Sequence, residues 1–260
     1  MSGRARVTVL GCGTSTGVPS IGCTDPVCLS EDPFNKRLRA SVLIEGEGGT
    51  LLVDSGPDLR QQALRHGLRQ VDAVIYTHHH ADHTHGIDDL RTFNFLMRKT
   101  IPCYTYPESA QVLRRNFSYI FGEADGNAGF KPRLTLHEVD GGPFEAGGFR
   151  VLPFDLEHGG MRVMGIRVGD FAYATDCNAV PPASMALLEG VRVLILDALR
   201  HREHPTHFTV AQALEIVDAL GPEQCYFTHT NYELEYHETN RALPPGVALA
   251  HDGLSFEIGL

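Results

Sequence analysis

Apolar residues recur along the 260-residue chain in blocks whose period switches between two and about 3.6, separated by polar or glycine-rich links. Arg6 to Leu10 alternates as a first strand. Arg39 to Glu45 and Thr50 to Val53 predict a hairpin across Gly46-Glu47-Gly48-Gly49, and Asp72 to Thr77 reads as a buried strand. From Thr84 to Lys99, residues Ile87, Leu90, Phe93, Phe95 and Met97 fall at roughly helical spacing, and Pro107 to Phe121 continues in helical character. The second half restarts the strand pattern at 134–139, 149–156, 162–168 and 171–175, four strands with short links that predict another sheet edge. A short helix at 181–189, a buried strand at 191–196, an amphipathic helix at 209–220 stopped by Gly221-Pro222, and a last strand at 225–229 complete the order. Strands and helices interleave as in an α/β protein, and one domain over 1–260 suits that length.

The polar residues that interrupt this pattern concentrate at strand ends. After the strand at 72–77 comes Thr77-His78-His79-His80-Ala81-Asp82-His83. On extended backbone His78, His80 and Asp82 point one way and His79 the other, while His83 turns the corner. Three imidazoles and a carboxylate within six positions exceed what one metal ion takes from a short loop, which predicts two ions side by side. Other strand ends carry Asp54, Glu157-His158, Thr175-Asp176, Asp197 and His229. Asp54, just before Ser55-Gly56-Pro57, can either accept the second ring N–H of a ligating histidine or cap local amides as a turn residue.

Composition narrows the partners. With 42% hydrophobic and 21% charged residues the chain is an ordinary globular sequence, and no apolar run approaches the ~20 residues of a membrane span. Together with an N-terminus lacking a leader pattern, this predicts a cytoplasmic protein without a membrane partner. A formal charge of −10 argues against large nucleic acids, which need a basic footprint.

Three loops carry open readings. Gly11-Cys-Gly-Thr-Ser-Thr-Gly17-Val-Pro19 permits tight turns or a phosphate cradle, and it lacks the lysine of a nucleotide-binding loop. Cys23-Thr-Asp25-Pro-Val-Cys28 resembles half of a zinc knuckle, with Cys23, Asp25 and Cys28 as candidate structural ligands and no convincing fourth nearby; two unliganded thiols are the alternative. The segment 122–129 is a flap over the site or a plain surface connection.

His-x-His-x-Asp-His after a strand resembles the signature of the metallo-beta-lactamase superfamily of hydrolases. Gly11-x-Gly-Thr-Ser-x-Gly-Val-Pro, the Cys23/Cys28 loop, Asp54-Ser-Gly-Pro-Asp58, Thr175-Asp176 and Thr228-His229 extend the resemblance over nearly the whole chain, toward the phosphodiesterase branch. Within that branch the chain resembles the phosphoribosyl cyclic phosphate phosphodiesterases of the carbon-phosphorus lyase pathway. The resemblance implies a four-layer αβ/βα sandwich, a di-zinc or di-manganese centre with iron also acceptable to such ligands, and commonly a homodimer. It assigns His78, His80 and His158 to one ion and Asp82, His83 and His229 to the other, with Asp176 bridging. It also implies a catalytic histidine at His207, with Asp82 counted beside it among the catalytic groups. The relatives' structural zinc uses three cysteines and a later histidine; here Asp25 and Tyr232 stand at two of those positions.

Two ions ~3.5 to 4 Å apart can share a hydroxide that attacks a phosphodiester at neutral pH. The expected function is therefore hydrolysis of small phosphodiesters, cyclic ones included, with His207 as general acid. A transfer-RNA 3′-processing ribonuclease shares the core motifs but carries a long basic arm that the sequence does not have. A lactam or thioester hydrolase on the same fold would not require an acid at position 207.

Overall fold

The computed structural model describes residues 3–122 and 131–260; apart from Gly122, the segment read above as flap or connection lies outside the described residues. Among the described residues fourteen strands form two seven-stranded sheets. The first has the order β14 (Ser255–Gly259), β1 (Arg4–Gly11), β2 (Ser41–Gly46), β3 (Gly49–Val53), β4 (Ala73–Ile75), β5 (Ile101–Thr105) and β6 (Leu134–Glu138). The second runs β13 (Val247–Leu249), β12 (Gln224–Thr228), β11 (Val193–Asp197), β10 (Phe171–Ala174), β9 (Met161–Val168), β8 (Phe149–His158) and β7 (Phe144–Ala146). Each sheet is antiparallel on one side and parallel on the other, the change falling at β3/β4 and at β10/β11.

Strand alternation produces the layers. In the first sheet Val42, Ile44, Leu51 and Val53 face the second sheet, where they meet Val151, Met164, Ile166 and Tyr173. Their neighbours Leu43, Leu52 and Val74 point the other way and pack with Leu59, Leu90, Phe93 and Leu113 of the covering helices. In the second sheet Ile195 faces inward, while Leu194 and Leu196 pack outward with Leu188, Ala213 and Val217. Helices, sheet, sheet and helices make the four-layer αβ/βα sandwich, and strands buried on both faces explain the near-continuous apolar runs at β3, β4 and β11.

The structure departs from the sequence reading in several places. Residues 134–139 were expected beside the strands at 149–175, but β6 pairs in parallel with β5 and closes the edge of the first sheet. The helix expected over 84–99 is broken into a turn at Ala81–Thr84, a 3₁₀ turn at Ile87–Asp89 and a helix at Leu90–Met97. Ile87, Leu90 and Phe93 form its buried stripe; Phe95 lies two residues on, about 200° around the helix, and is 83% exposed. The helices Leu59–His66 and Tyr236–Ala242 and the strands β5, β7, β13 and β14 have no counterpart in the predicted elements. Among the described residues no helix is long and apolar enough to cross a membrane.

The two phenylalanines test this packing directly. Phe93→Ala, at 3% exposure, should cost about 3–5 kcal/mol in urea unfolding through lost contacts and a cavity, whereas Phe95→Ala should stay within about 0.5 kcal/mol of the parent.

Candidate active site

Ends of strands supply the site. Asp54 follows β3, His78 lies just beyond β4, His158 ends β8, Asp176 lies just beyond β10, Asp197 ends β11 and His229 follows β12. Asp54 (φ 63°), Asp176 (φ 55°) and His229 (φ 57°) are three of the four non-glycine residues with positive φ among those described. Left-handed backbone is unfavourable for side-chain-bearing residues, so its recurrence at converging strand ends marks positions where the surrounding structure dictates side-chain direction.

Extended alternation in the histidine loop persists only as far as His80, which caps the helical turn Ala81–Thr84; Asp82 and His83 are delivered by that turn, which corrects the simple alternation expected for Asp82. The turn is knitted to the one after β3. Ser55 N donates to His83 O at 2.9 Å and Gly86 N to Ser55 O at 2.8 Å. A Cβ on Gly56 would sit 1.9 Å from the Asp82 carbonyl oxygen, and one on Gly86 2.0 Å from that of Gly56, so only glycine allows this approach at either position.

Asp54 fixes the loop's side chains. It accepts from Thr77 N at 2.9 Å, from Thr77 Oγ1 at 2.9 Å and from His83 Nδ1 at 2.7 Å. Because the Thr77 hydroxyl donates to Asp54, its oxygen accepts from His78 Nδ1 at 3.0 Å. His158 Nδ1 donates to Thr206 O at 2.7 Å. Each of these three rings therefore keeps a proton on Nδ1 and turns Nε2 inward, the nitrogen available to ligate an ion.

Four donors, Asp82, His83, Asp176 and His229, bring ligand atoms within 4.8 Å of one another, as do His78, His80 and His158. Asp176 lies between the groups: its Oδ2 is 3.1 Å from His83 Nε2, and its Oδ1 is 3.3 Å from His229 Nε2 and 3.9 Å from His78 Nε2. Asp82 Oδ2 is 3.3 Å from His83 Nε2 and 3.5 Å from His229 Nε2. The Nε2 atoms of His78, His83 and His229 are buried and have no hydrogen-bond partner among the described residues. Ring nitrogens facing carboxylate oxygens in a buried volume call for a positive charge between them, a proton or a metal ion, and the donor set suits divalent ions.

The proton affinities show what these carboxylates do with no ion between them: they favour a charged His83, whose Nε2 proton a metal ion would displace. Burial works against the Asp176 carboxylate, yet His229 and His83 hold it well below the usual range. Burial likewise opposes a charge on His83, but Asp176, Asp54 and Asp82 push its basicity well above that of a free imidazole. His78 is held well below its ordinary value by burial and by His83.

His207 is 6% exposed and lies against this cluster, its ring stacked on His229 at 4.6 Å and edge-on to His158 at 4.7 Å. Its Nδ1 donates to Asp197 Oδ2 at 2.8 Å. One of its ring nitrogens lies within 4.8 Å of ligand atoms of His158 and Asp176. Sequence reasoning gave Asp197 no role beyond ending a strand, and gave none to Thr77 or Thr206; a buried strand closing on a carboxylate, as β3 and β11 both do, is the signal that could have found Asp197.

Other expected positions fall elsewhere. His79 turns away to Ser109 Oγ at 3.2 Å. The glycine loop is no phosphate cradle, because Gly13 N, Thr14 N and Val18 N donate to the carbonyls of Leu38, Thr230 and Arg37. The candidate structural metal set Cys23, Asp25 and Cys28 is not assembled: the two sulfurs are bonded to each other, and Asp25 caps the short helix that follows by accepting from Val27 N at 2.9 Å.

A family model described as "Beta-lactamase superfamily domain" matches residues 50–230, which carry every strand-end residue named above. A solved structure, a diphosphatase from the PhnP family, shares 43% identity over 100% of this chain and 99% of its own, with a TM-score of 0.93. The chain belongs to the metallo-beta-lactamase superfamily and, within it, to the PhnP family. An octanoyltransferase of Porphyromonas gingivalis is 36% identical over 96% of this chain, which spans only 51% of that protein's length. A ribonuclease Z of Methanopyrus kandleri is 24% identical over 87% of this chain and 94% of its own. The superfamily's fold implies bound divalent metal ions, in keeping with the His/Asp clusters.

Removing the Asp54 carboxylate should loosen both His78 and His83. Asp54→Ala is expected to weaken metal binding by about 10- to 100-fold in a competitive chelator titration, the usual size for a partner that orients a ligating histidine, while His79→Ala keeps the parent affinity.

Proposed function

We propose that this hydrolase cleaves small phosphodiesters, with His78, His80 and His158 holding one divalent ion, Asp82, His83 and His229 a second, Asp176 between them, and His207 as general acid. The observation that carries the reading is the buried His207–Asp197 pair at 2.8 Å beside the two ligand groups. Two ions at such donors supply an acidified water at neutral pH and positive charge for a phosphoryl group in the transition state. The chain's own residues do the rest.

Asp197 fixes the proton on His207 Nδ1 and steadies the ring when it is doubly protonated, so Nε2 can hold a proton toward the leaving oxygen. Alkoxides are poor leaving groups, and protonation at departure is where such a ring gains its effect, typically about 10²- to 10⁴-fold in rate. His83 and His78 are held in one tautomer through Asp54 and Thr77, which keeps the cluster rigid while the substrate turns over. The acidic surface, with a formal charge of −10, favours small substrates over folded RNA.

A second reading is supported by the 43%-identical diphosphatase: the scissile bond is a phosphoanhydride. A departing phosphate needs less help from an acid than an alkoxide does. His207→Ala should retain its metal and lose about 10²-fold or more on a ribosyl or alkyl diester, far less on a p-nitrophenyl diester, and an intermediate amount on a diphosphate diester, measured as kcat/KM on the manganese-loaded enzyme. Equal losses on all three substrates, or loss of metal, would remove His207 from the acid's role; turnover of a beta-lactam alone would end the phosphodiesterase reading.

A further inference from the structure

Beyond His207 the row of rings continues outward. His229 is fully buried, His207 is stacked on it, and His204 lies 5.1 Å from His207, tilted by 46° and half-buried at the protein surface. The loop bearing His204 is braced. Arg200 donates from Nε to the carbonyl of Arg202 at 3.2 Å and from Nη2 to that of Glu203 at 3.0 Å, and its Nη1 lies 3.5 Å from Glu233 in the segment after His229.

One residue sets the protonation of the rings on either side of it. Thr206 O accepts from His158 Nδ1 at 2.7 Å, leaving His158 Nε2 bare toward the cluster. Thr206 N, at 3.3 Å, and Thr206 Oγ1, at 3.2 Å, both face His204 Nδ1, which must therefore accept. The neutral His204 ring consequently carries its proton on Nε2, and that N–H has no partner among the described residues. Burial and the neighbouring His207 and Arg200 lower the basicity of His204, in keeping with a neutral ring. Thr206 thus presents one imidazole as a lone pair and the next as a donor.

We propose that His204 is a substrate-contact residue whose Nε2–H donates to an oxygen of the leaving group next to the atom that His207 protonates. The assignment rests on the phosphoryl-hydrolase reading, which puts the reacting group at the ligand cluster, and adds to it that the leaving group extends along the row His229, His207, His204 toward solvent. The recognised chemistry is an acceptor oxygen adjacent to the departing one, either a sugar hydroxyl or ring oxygen in a ribosyl diester, or a phosphate oxygen in a diphosphate.

The test measures KM and kcat of the metal-loaded wild type, His204→Ala and His204→Gln on a 2′,3′-cyclic nucleotide, a diphosphate diester and bis(p-nitrophenyl) phosphate, whose leaving group has no oxygen beside the departing atom. Loss of one hydrogen bond should raise KM for His204→Ala by about 2- to 12-fold on an oxygen-bearing leaving group, with less than twofold change on the nitrophenyl ester and kcat falling by less than threefold on the sensitive substrate. His204→Gln, which keeps an N–H donor, should recover part of the loss. The substrate that shows the effect identifies sugar or phosphate as the source of the oxygen. A uniform change on all three substrates, a fall in kcat at constant KM, or no change in an enzyme that turns over the diesters would overturn the assignment alone. Wild-type inactivity on every phosphoryl substrate would overturn it together with the reading beneath it.

Discussion

Buried imidazole Nε2 atoms that face buried carboxylates and have no other polar partner among the described residues are the constraint on which the structure depends. Sequestering such groups from water is unfavourable by several kcal/mol each unless they are paired or bound to a cation. The fold meets part of that requirement by tying Nδ1 of His78, His83, His158 and His207 to Thr77, Asp54, Thr206 and Asp197. What remains unsatisfied is the inward set of Nε2 atoms, which gives the site its affinity for divalent ions. The left-handed turns at Asp54, Asp176 and His229 and the glycine contacts at Gly56 and Gly86 are the backbone's side of the same arrangement.

The two sheets explain why these residues can meet. Both change from antiparallel to parallel pairing part-way across, and the carboxyl ends of their parallel strands carry Asp54, His78, Asp176, Asp197 and His229. Ligands in α/β folds bind beyond such strand ends because the loops there are free of the sheet's own hydrogen bonds. His158, from the end of an antiparallel strand, closes the group from a different direction.

Legibility in the sequence followed locality. The histidine loop was readable because its donors lie within six residues, and Asp54 because it stands between a buried strand and a glycine turn. Asp197 passed without a role because its meaning depends on a partner ten residues away across a loop with no regular period. The sheet membership of Leu134–Glu138 could not be read, since its pairing with β5 is set by tertiary packing rather than by its own alternation. Phe95 misled for a local reason: an apolar residue in a helical stretch counts toward the core only if its angle falls on the buried stripe. The cysteine loop matched a zinc pattern in spacing, and its side chains turned instead to each other and to the backbone.

The central claim is that one carboxylate, Asp176, is shared by two ions. Its oxygens lie 3.1–3.9 Å from ring nitrogens of both ligand groups. The direct measurement is the metal content per folded chain of the native protein and of Asp176→Ala after loading and desalting. The account predicts two ions in the native protein and loss of most of both from the variant, whose two positive centres would no longer have a common anion; two ions retained in Asp176→Ala would contradict it.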